Sequence, residues 1–144
     1  MNPLELFSEL PLTLTIPMAP AVKVRHRTRI RGGKIQTYKD PDDLQREQVT
    51  QVYMRKLMAE HRRGGPFRGP LALACVFYMP DGTRRDIDNL LKHIMDAGNK
   101  ILYNDDSQIV TVAAYRHVDR SNPRTELMIG KAAFVSPWMI GELA

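Results

Sequence analysis

Only one cysteine, Cys75, occurs in the 144 residues, so an intrachain disulfide is excluded and a reducing, cytoplasmic setting is the default. Its apolar neighbours Ala74 and Val76 predict a small buried side chain. Long hydrophobic runs are also missing. The longest, Leu71 to Met79, is too short to cross a bilayer, and a membrane is not an expected partner. The first ten residues carry Glu5 and Glu9 and no basic cluster, which excludes a secretory signal pattern. No repeat or low-complexity tract is present. Acidic residues are the minority, 16 against 21 Lys and Arg, for a net charge of +5 and a pI near 9.6. That balance favours a polyanionic partner, nucleic acid before a membrane surface. The length suits one domain with its own apolar core.

Along the chain, Leu12-Thr13-Leu14-Thr15-Ile16 alternates apolar and polar residues and reads as a strand ended by Pro17. From Val22 to Lys39 there are seven cations and no acid. Lys23, Arg25, Arg27, Arg29 and Arg31 alternate, so an extended chain would place them on one face, with Lys34 following the Gly32-Gly33 turn. Asp40 as N-cap, Pro41 in the first helical position and Asp42-Asp43 in the first turn open a helix. Its predicted apolar stripe is Val49, Val52, Tyr53 and Leu57, and it closes at His61-Arg62-Arg63 before Gly64-Gly65. Leu71–Met79 is apolar on both faces, as a central strand covered on both sides would be.

A second helix follows, with a core stripe of Ile87, Leu90, Leu91, Ile94, Met95, Gly98, Ile101 and Leu102. Asp88, Lys92 and Asp96 fall on its polar face, and His93 is expected to face solvent. A turn at Asn104-Asp105-Asp106-Ser107 leads to two strands, Ile109–Tyr115 and Glu126–Ile129, joined through Ser121-Asn122-Pro123. The expected class is α+β: a single domain with a mixed β-sheet packed by two main helices. Expected boundaries are a leader at 1–11, the domain at 12–131 and a tail at 132–144, whose Trp138 could anchor the tail or a dimer partner.

Acids gathered inside a cationic chain suit a hard divalent cation such as Mg²⁺ meeting a phosphate substrate. Each acid also has an ordinary explanation: Asp86 as an N-cap, Asp88 as a dipole partner, Asp96 as a solvated helix residue, Asp105-Asp106 as turn formers. Lys92 could neutralise charge developing on phosphate or pair with Asp88 or Asp96. Helix length sets a geometric problem. At about 1.5 Å per residue, the stretch from Asp86 to Leu102 would leave Asp106 some 20 Å from Asp86 within one subunit. Either the chain folds back, or the acids meet across a subunit interface.

The run Pro80-Asp81-Gly82-Thr83-Arg84-Arg85-Asp86-Ile87-Asp88-Asn89-Leu90-Leu91-Lys92, then Met95-Asp96-Ala97-Gly98-Asn99 and Asn104-Asp105-Asp106-Ser107-Gln108-Ile109, resembles the RusA family of Holliday junction resolvases. Pro20 to Arg27 and Tyr38 to Pro41 resemble its basic N-terminal part. The resemblance runs from about Leu12 to Gly130. Gly98 departs from it, standing where the family more often has a larger apolar residue. It implies a homodimeric, Mg²⁺-dependent endonuclease, with Mn²⁺ able to substitute, that makes paired symmetric nicks in four-way DNA junctions. By position, Asp86, Asp88 and Asp106 would be the catalytic and metal-binding carboxylates, Asp105 a further ligand and Lys92 the essential cation. Lys23, Arg25, Arg27, Arg29, Arg31 and Lys34 are expected to contact DNA phosphates. Two rivals stand beside this reading: a nuclease for flaps or forks, and a non-catalytic DNA-binding protein that keeps the fold.

Overall fold

The computed structural model describes residues 2–23, 27–38, 40–61 and 64–134, with Arg27 described by its backbone alone. The elements are β1 (Leu12–Ile16), β2 (Arg27–Arg31), β3 (Lys34–Tyr38), α1 (Pro41–Glu60), β4 (Leu71–Met79), α2 (Ile87–Gly98), β5 (Ile109–Val118) and β6 (Arg124–Lys131). A four-stranded sheet has the order β1-β6-β4-β5, and β2-β3 forms a separate ribbon. Strand β4 is antiparallel to β6 and parallel to β5. The class is therefore α+β with a mixed sheet and two helices. Strands β5 and β6 both run longer than the sequence predicts, and they flank β4 instead of pairing with each other.

The apolar character of β4 follows from its place. Leu71, Leu73, Cys75, Phe77 and Met79 face the main core, where α1 and α2 pack, while Ala72 and Ala74 meet Phe7 and Ala132 on the reverse face. Phe7 follows a short 3-10 turn at Pro3–Leu6, so the leader contributes to the core. Cys75 is inaccessible, and burial pushes its thiol up to about 12. Beyond β5, Arg124 lies over the Tyr78 ring at 3.7 Å and bonds Asp119 and Glu126, which ties the β5–β6 connection to the sheet.

Helix α1 starts as expected: the Asp40 side chain accepts from the Asp42 N–H at 2.9 Å, and Pro41 follows. Its buried face differs from the expected stripe. Leu57 is buried and Tyr53 packs against the core as expected, with Thr50, Met54 and Met58 also inside, whereas Val49 and Val52 are exposed, Val52 at 60%. Apolar residues are scattered around this helix, so periodicity alone placed Leu57 and Tyr53 and misplaced Val49 and Val52. Thr50 can occupy the core because its hydroxyl lies 3.0 Å from both the Arg46 carbonyl and His93 Nε2. That bond also corrects the placement of His93, which is buried at the α1–α2 contact and not solvent-facing.

The second helix is shorter than its apolar pattern. It stops at Gly98, Asn99 leaves helical geometry and Lys100 takes φ 69°. Ile87 is exposed, and Ile101 and Leu102 belong to the return turn. The cause is Tyr103, which folds back beneath the helix and donates its hydroxyl to the Met95 carbonyl at 2.6 Å. A Cβ on Gly98 would stand 2.6 Å from that hydroxyl oxygen and 2.8 Å from Tyr103 Cζ. Gly98 and Tyr103 therefore form one packing unit.

In a helix Ala is normally about 1 kcal/mol better than Gly, but here overpacking should win, and Gly98→Ala should destabilise by about 1–3 kcal/mol. Combining it with Tyr103→Leu should cost less than the sum of the two single changes. Urea unfolding of the three variants checks this, and additive costs would refute the wedge.

Candidate active site

The turn after β4 is braced by Asp81, whose carboxylate accepts from the Thr83 N–H at 2.9 Å. Bonding to the Thr83 hydroxyl, then to its N–H, holds the Asp81 carboxyl below its ordinary value. Asp86 occupies the N-cap position of α2, but its side chain makes no capping bond. Its backbone carbonyl accepts from Asn89 and Leu90, each at 3.2 Å. The carboxylate is left 61% exposed, 3.8 Å from Arg84 Nε. Capping thus explains the position of Asp86 and not its charged group.

Asp88, in the first turn of the same helix, accepts from the Asn89 N–H at 2.9 Å. Both acids lie where the helix dipole favours negative charge. They line an open cleft of about 540 Å³ with Arg84, Arg85, Ile87 and Arg116. Arg116 arrives from β5 and donates to the Arg85 carbonyl. Lys92 is exposed one helical turn beyond Asp88. Arg84 and Arg85 were visible beside Asp86 in the motif. Arg116 carries no comparable signal, because parallel pairing of β4 with β5 brings it there from 31 residues away.

The remaining acids stand at the other end of α2. Gln108 ties their turn down: its Oε1 accepts from Asn104 and Asp105 N–H groups at 2.9 and 3.2 Å, and its Nε2 donates to the Phe67 and Gly69 carbonyls. Asp105 is exposed and accepts from the Ser107 hydroxyl. Asp106 is half-buried near Tyr103, whose hydroxyl pKa is raised first by burial and then by the Asp106 charge. The 12 residues of α2 span about 18 Å at 1.5 Å per residue. Asp106 precedes β5 while Asp86 follows β4, and the strands are parallel. One chain therefore joins Asp86 to Asp88 and leaves Asp105 and Asp106 apart. Among the described residues no group of three or more His, Cys, Asp or Glu side chains gathers as a metal site.

Of the basic residues, Lys23 is committed elsewhere. Its ammonium lies 2.9 Å from Asp96, and its N–H donates to the Asn89 carbonyl, docking the incoming chain onto α2. Lys23 itself lies outside β2, which is described from Arg27 on, and the part of the alternating run between them lies outside the described residues. Arg25 and the side chain of Arg27 lie outside the described residues, as does Trp138. Arg29, Arg31 and Lys34 are exposed on the ribbon, where Gly32 and Gly33 take φ 60° and 72° in the turn. Arg29 lies over the Tyr38 ring at 4.8 Å.

The family model described as endodeoxyribonuclease RusA matches residues 17–130, and the chain belongs to that family. The cleft at the start of α2 is accordingly the candidate active site of a DNA-cleaving enzyme, in a family that acts on branched DNA junctions. A Bacillus subtilis (strain 168) protein named "Uncharacterized protein YqaN" is 26% identical, with 82% of this chain and 94% of that protein covered. Among the described residues no helix is long and apolar enough to cross a membrane.

The two kinds of cation should separate experimentally. Lys23→Ala should lower stability by up to about 1 kcal/mol and leave the salt dependence of DNA binding unchanged. Arg29→Ala should instead reduce the slope of log affinity against log salt by roughly one. Thermal unfolding and anisotropy titrations with a duplex or junction check both.

Proposed function

We propose that the protein is a Mg²⁺-dependent, homodimeric endonuclease that resolves four-way DNA junctions by paired, symmetric cleavage. The observation that carries this reading is the pairing of Asp86 and Asp88 at one helix start, inside a cleft whose other charged residues are arginines. Two exposed carboxylates fit Mg²⁺, which takes one or two carboxylates and completes its shell with water and phosphate oxygens; Mn²⁺ fits the same donors. Asp86 and Asp88 would hold the ion. When bound, it supplies Lewis-acid stabilisation of the charge that builds on the scissile phosphate.

The chain's own groups do the rest. Arg84 and Arg85 attract the phosphate backbone, and Lys92 offsets negative charge one turn from Asp88. The ribbon cations Arg27, Arg29, Arg31 and Lys34, with Arg25 before them, add affinity that is blind to sequence. A two-fold dimer supplies one site for each opposed strand of a junction. The separation of Asp106 from Asp86 supports a composite site, in which Asp106, with Asp105 beside it, joins Asp86 and Asp88 from a second copy. The site residues all fall within the domain at 12–131, on which the leader packs through Phe7, and the enzyme works in the cytoplasm.

Wild-type protein should cut a synthetic four-way junction into nicked duplexes with Mg²⁺ and not with EDTA. Asp88→Asn should slow cleavage by roughly 10²- to 10⁴-fold, the range for losing one catalytic group, while binding persists. Faster cutting of a flap would favour the flap nuclease, and binding without cleavage would favour the non-catalytic protein. Mixing inactive Asp88→Asn with inactive Asp106→Asn tests the composite site separately. A heterodimer with sites built across subunits regains one intact site and nicks the junction; sites built within one chain stay dead.

A further inference from the structure

Arg116 is the cleft residue that no sequence motif announces. It sits on edge strand β5 in register with Phe77, at the end of the sheet where β4 hands the chain over to the acid-bearing turn. Its side chain is exposed, so core packing does not account for it. Among the described residues it makes no ion pair, although Asp86 and Asp88 line the same cleft. One guanidinium nitrogen, Nη1, donates to the carbonyl of Arg85, the residue immediately before Asp86. A guanidinium has five N–H donors in a rigid fork and remains charged throughout the working pH range. The bond to Arg85 therefore fixes the fork's position and leaves most of its donors and its whole charge available.

The adjoining hollow, lined by Met79, Asp81, Thr83, Arg116 and His117 among others, is bounded by the same side chain. Arg116 is thus the shared wall between the carboxylate cleft and the end of the sheet. An anchored cation beside two carboxylates fits a ligand that is itself anionic and is drawn to the acids through a divalent ion. A phosphodiester has that chemistry, and its two non-bridging oxygens match the guanidinium fork.

We propose that Arg116 is a phosphate-binding residue of the active site, contacting the non-bridging oxygens of the DNA phosphodiester that enters the Asp86–Asp88 cleft. This assignment rests on the nuclease reading and adds a residue to it. The guanidinium stays protonated throughout the working pH range, so its contribution is charge and orientation. The bond to the Arg85 carbonyl gives it a second, positioning effect on Asp86, and the test must separate the two.

The test measures anisotropy of a labelled four-way junction in EDTA across a salt series, and cleavage in Mg²⁺, for wild type, Arg116→Gln and Arg116→Lys. Arg116→Gln should reduce the salt slope by about one and lower kcat/KM by roughly 10- to 100-fold, near the effect of losing one oriented charge donor. Arg116→Lys should keep the slope and recover only part of kcat/KM, because lysine lacks the fork. A wild-type slope in Arg116→Gln overturns the assignment even if cleavage falls, since the residue would then act only through the Arg85 carbonyl. If wild type neither binds nor cuts the junction, the nuclease reading falls and this assignment falls with it. If wild type cuts and Arg116→Gln matches it in slope and rate, the assignment alone fails. Thermal midpoints of the variants, expected to be unchanged for an exposed edge-strand residue, verify that each is folded.

Discussion

Parallel pairing between β4 and β5 is the constraint from which the rest of this architecture follows. Two adjacent parallel strands cannot be joined by a tight turn; the chain must travel back along the sheet before the second strand begins. Here α2 makes that journey, and its apolar face closes the core over Leu73, Cys75 and Phe77. Everything attached to the front of the helix therefore sits past the end of β4, and everything after its last turn sits before the start of β5. The motif acids divide accordingly. Asp86 and Asp88 share a cleft, while Asp105 and Asp106 occupy the opposite rim with Tyr103 and Gln108.

The same pairing brings cations to the acids. Because β5 ends alongside β4, Arg116 reaches the Arg85 carbonyl and completes a cleft with Arg84 and Arg85 around two carboxylates. A site of carboxylates alone would repel a DNA phosphate. Arginines at the same opening reverse the local sign for the approaching backbone, while the helix start favours the acids themselves. Much of the remaining charge serves structure: Lys23 with Asp96, and Arg124 with Asp119 and Glu126. The count of basic residues thus overstates the cations available to nucleic acid.

Features whose physics is local were legible. Asp40-Pro41 starts α1 through a side-chain bond to a residue two positions on, Gly32-Gly33 turns the ribbon because both residues take positive φ, and the unbroken apolar run of β4 required cover on both faces. Features that depend on a distant partner were not. Val52 looked like a core residue and is exposed, while Thr50 is buried because His93 lies across from it. The stripe of α2 seemed to continue through Leu102, yet the helix stops at Gly98 because Tyr103 takes the space a side chain would fill. The departure from the family pattern at Gly98 thus has a packing reason.

By itself, the sequence determined the α+β class, the central strand, both helix starts, the cationic ribbon and the motif that marks the family. Each rests on periodicity, backbone preference or a short run of residues, all contained within a few turns of chain. Tertiary structure alone decided that Asp86 leaves its carboxylate uncapped, that Arg116 stands beside it, that Lys23 binds Asp96, and that Asp106 lies a helix length from its partners in the motif. Order along a chain constrains which residues a fold can use. Distance between them is set by how strands pair, and that pairing depends on surfaces no single segment contains.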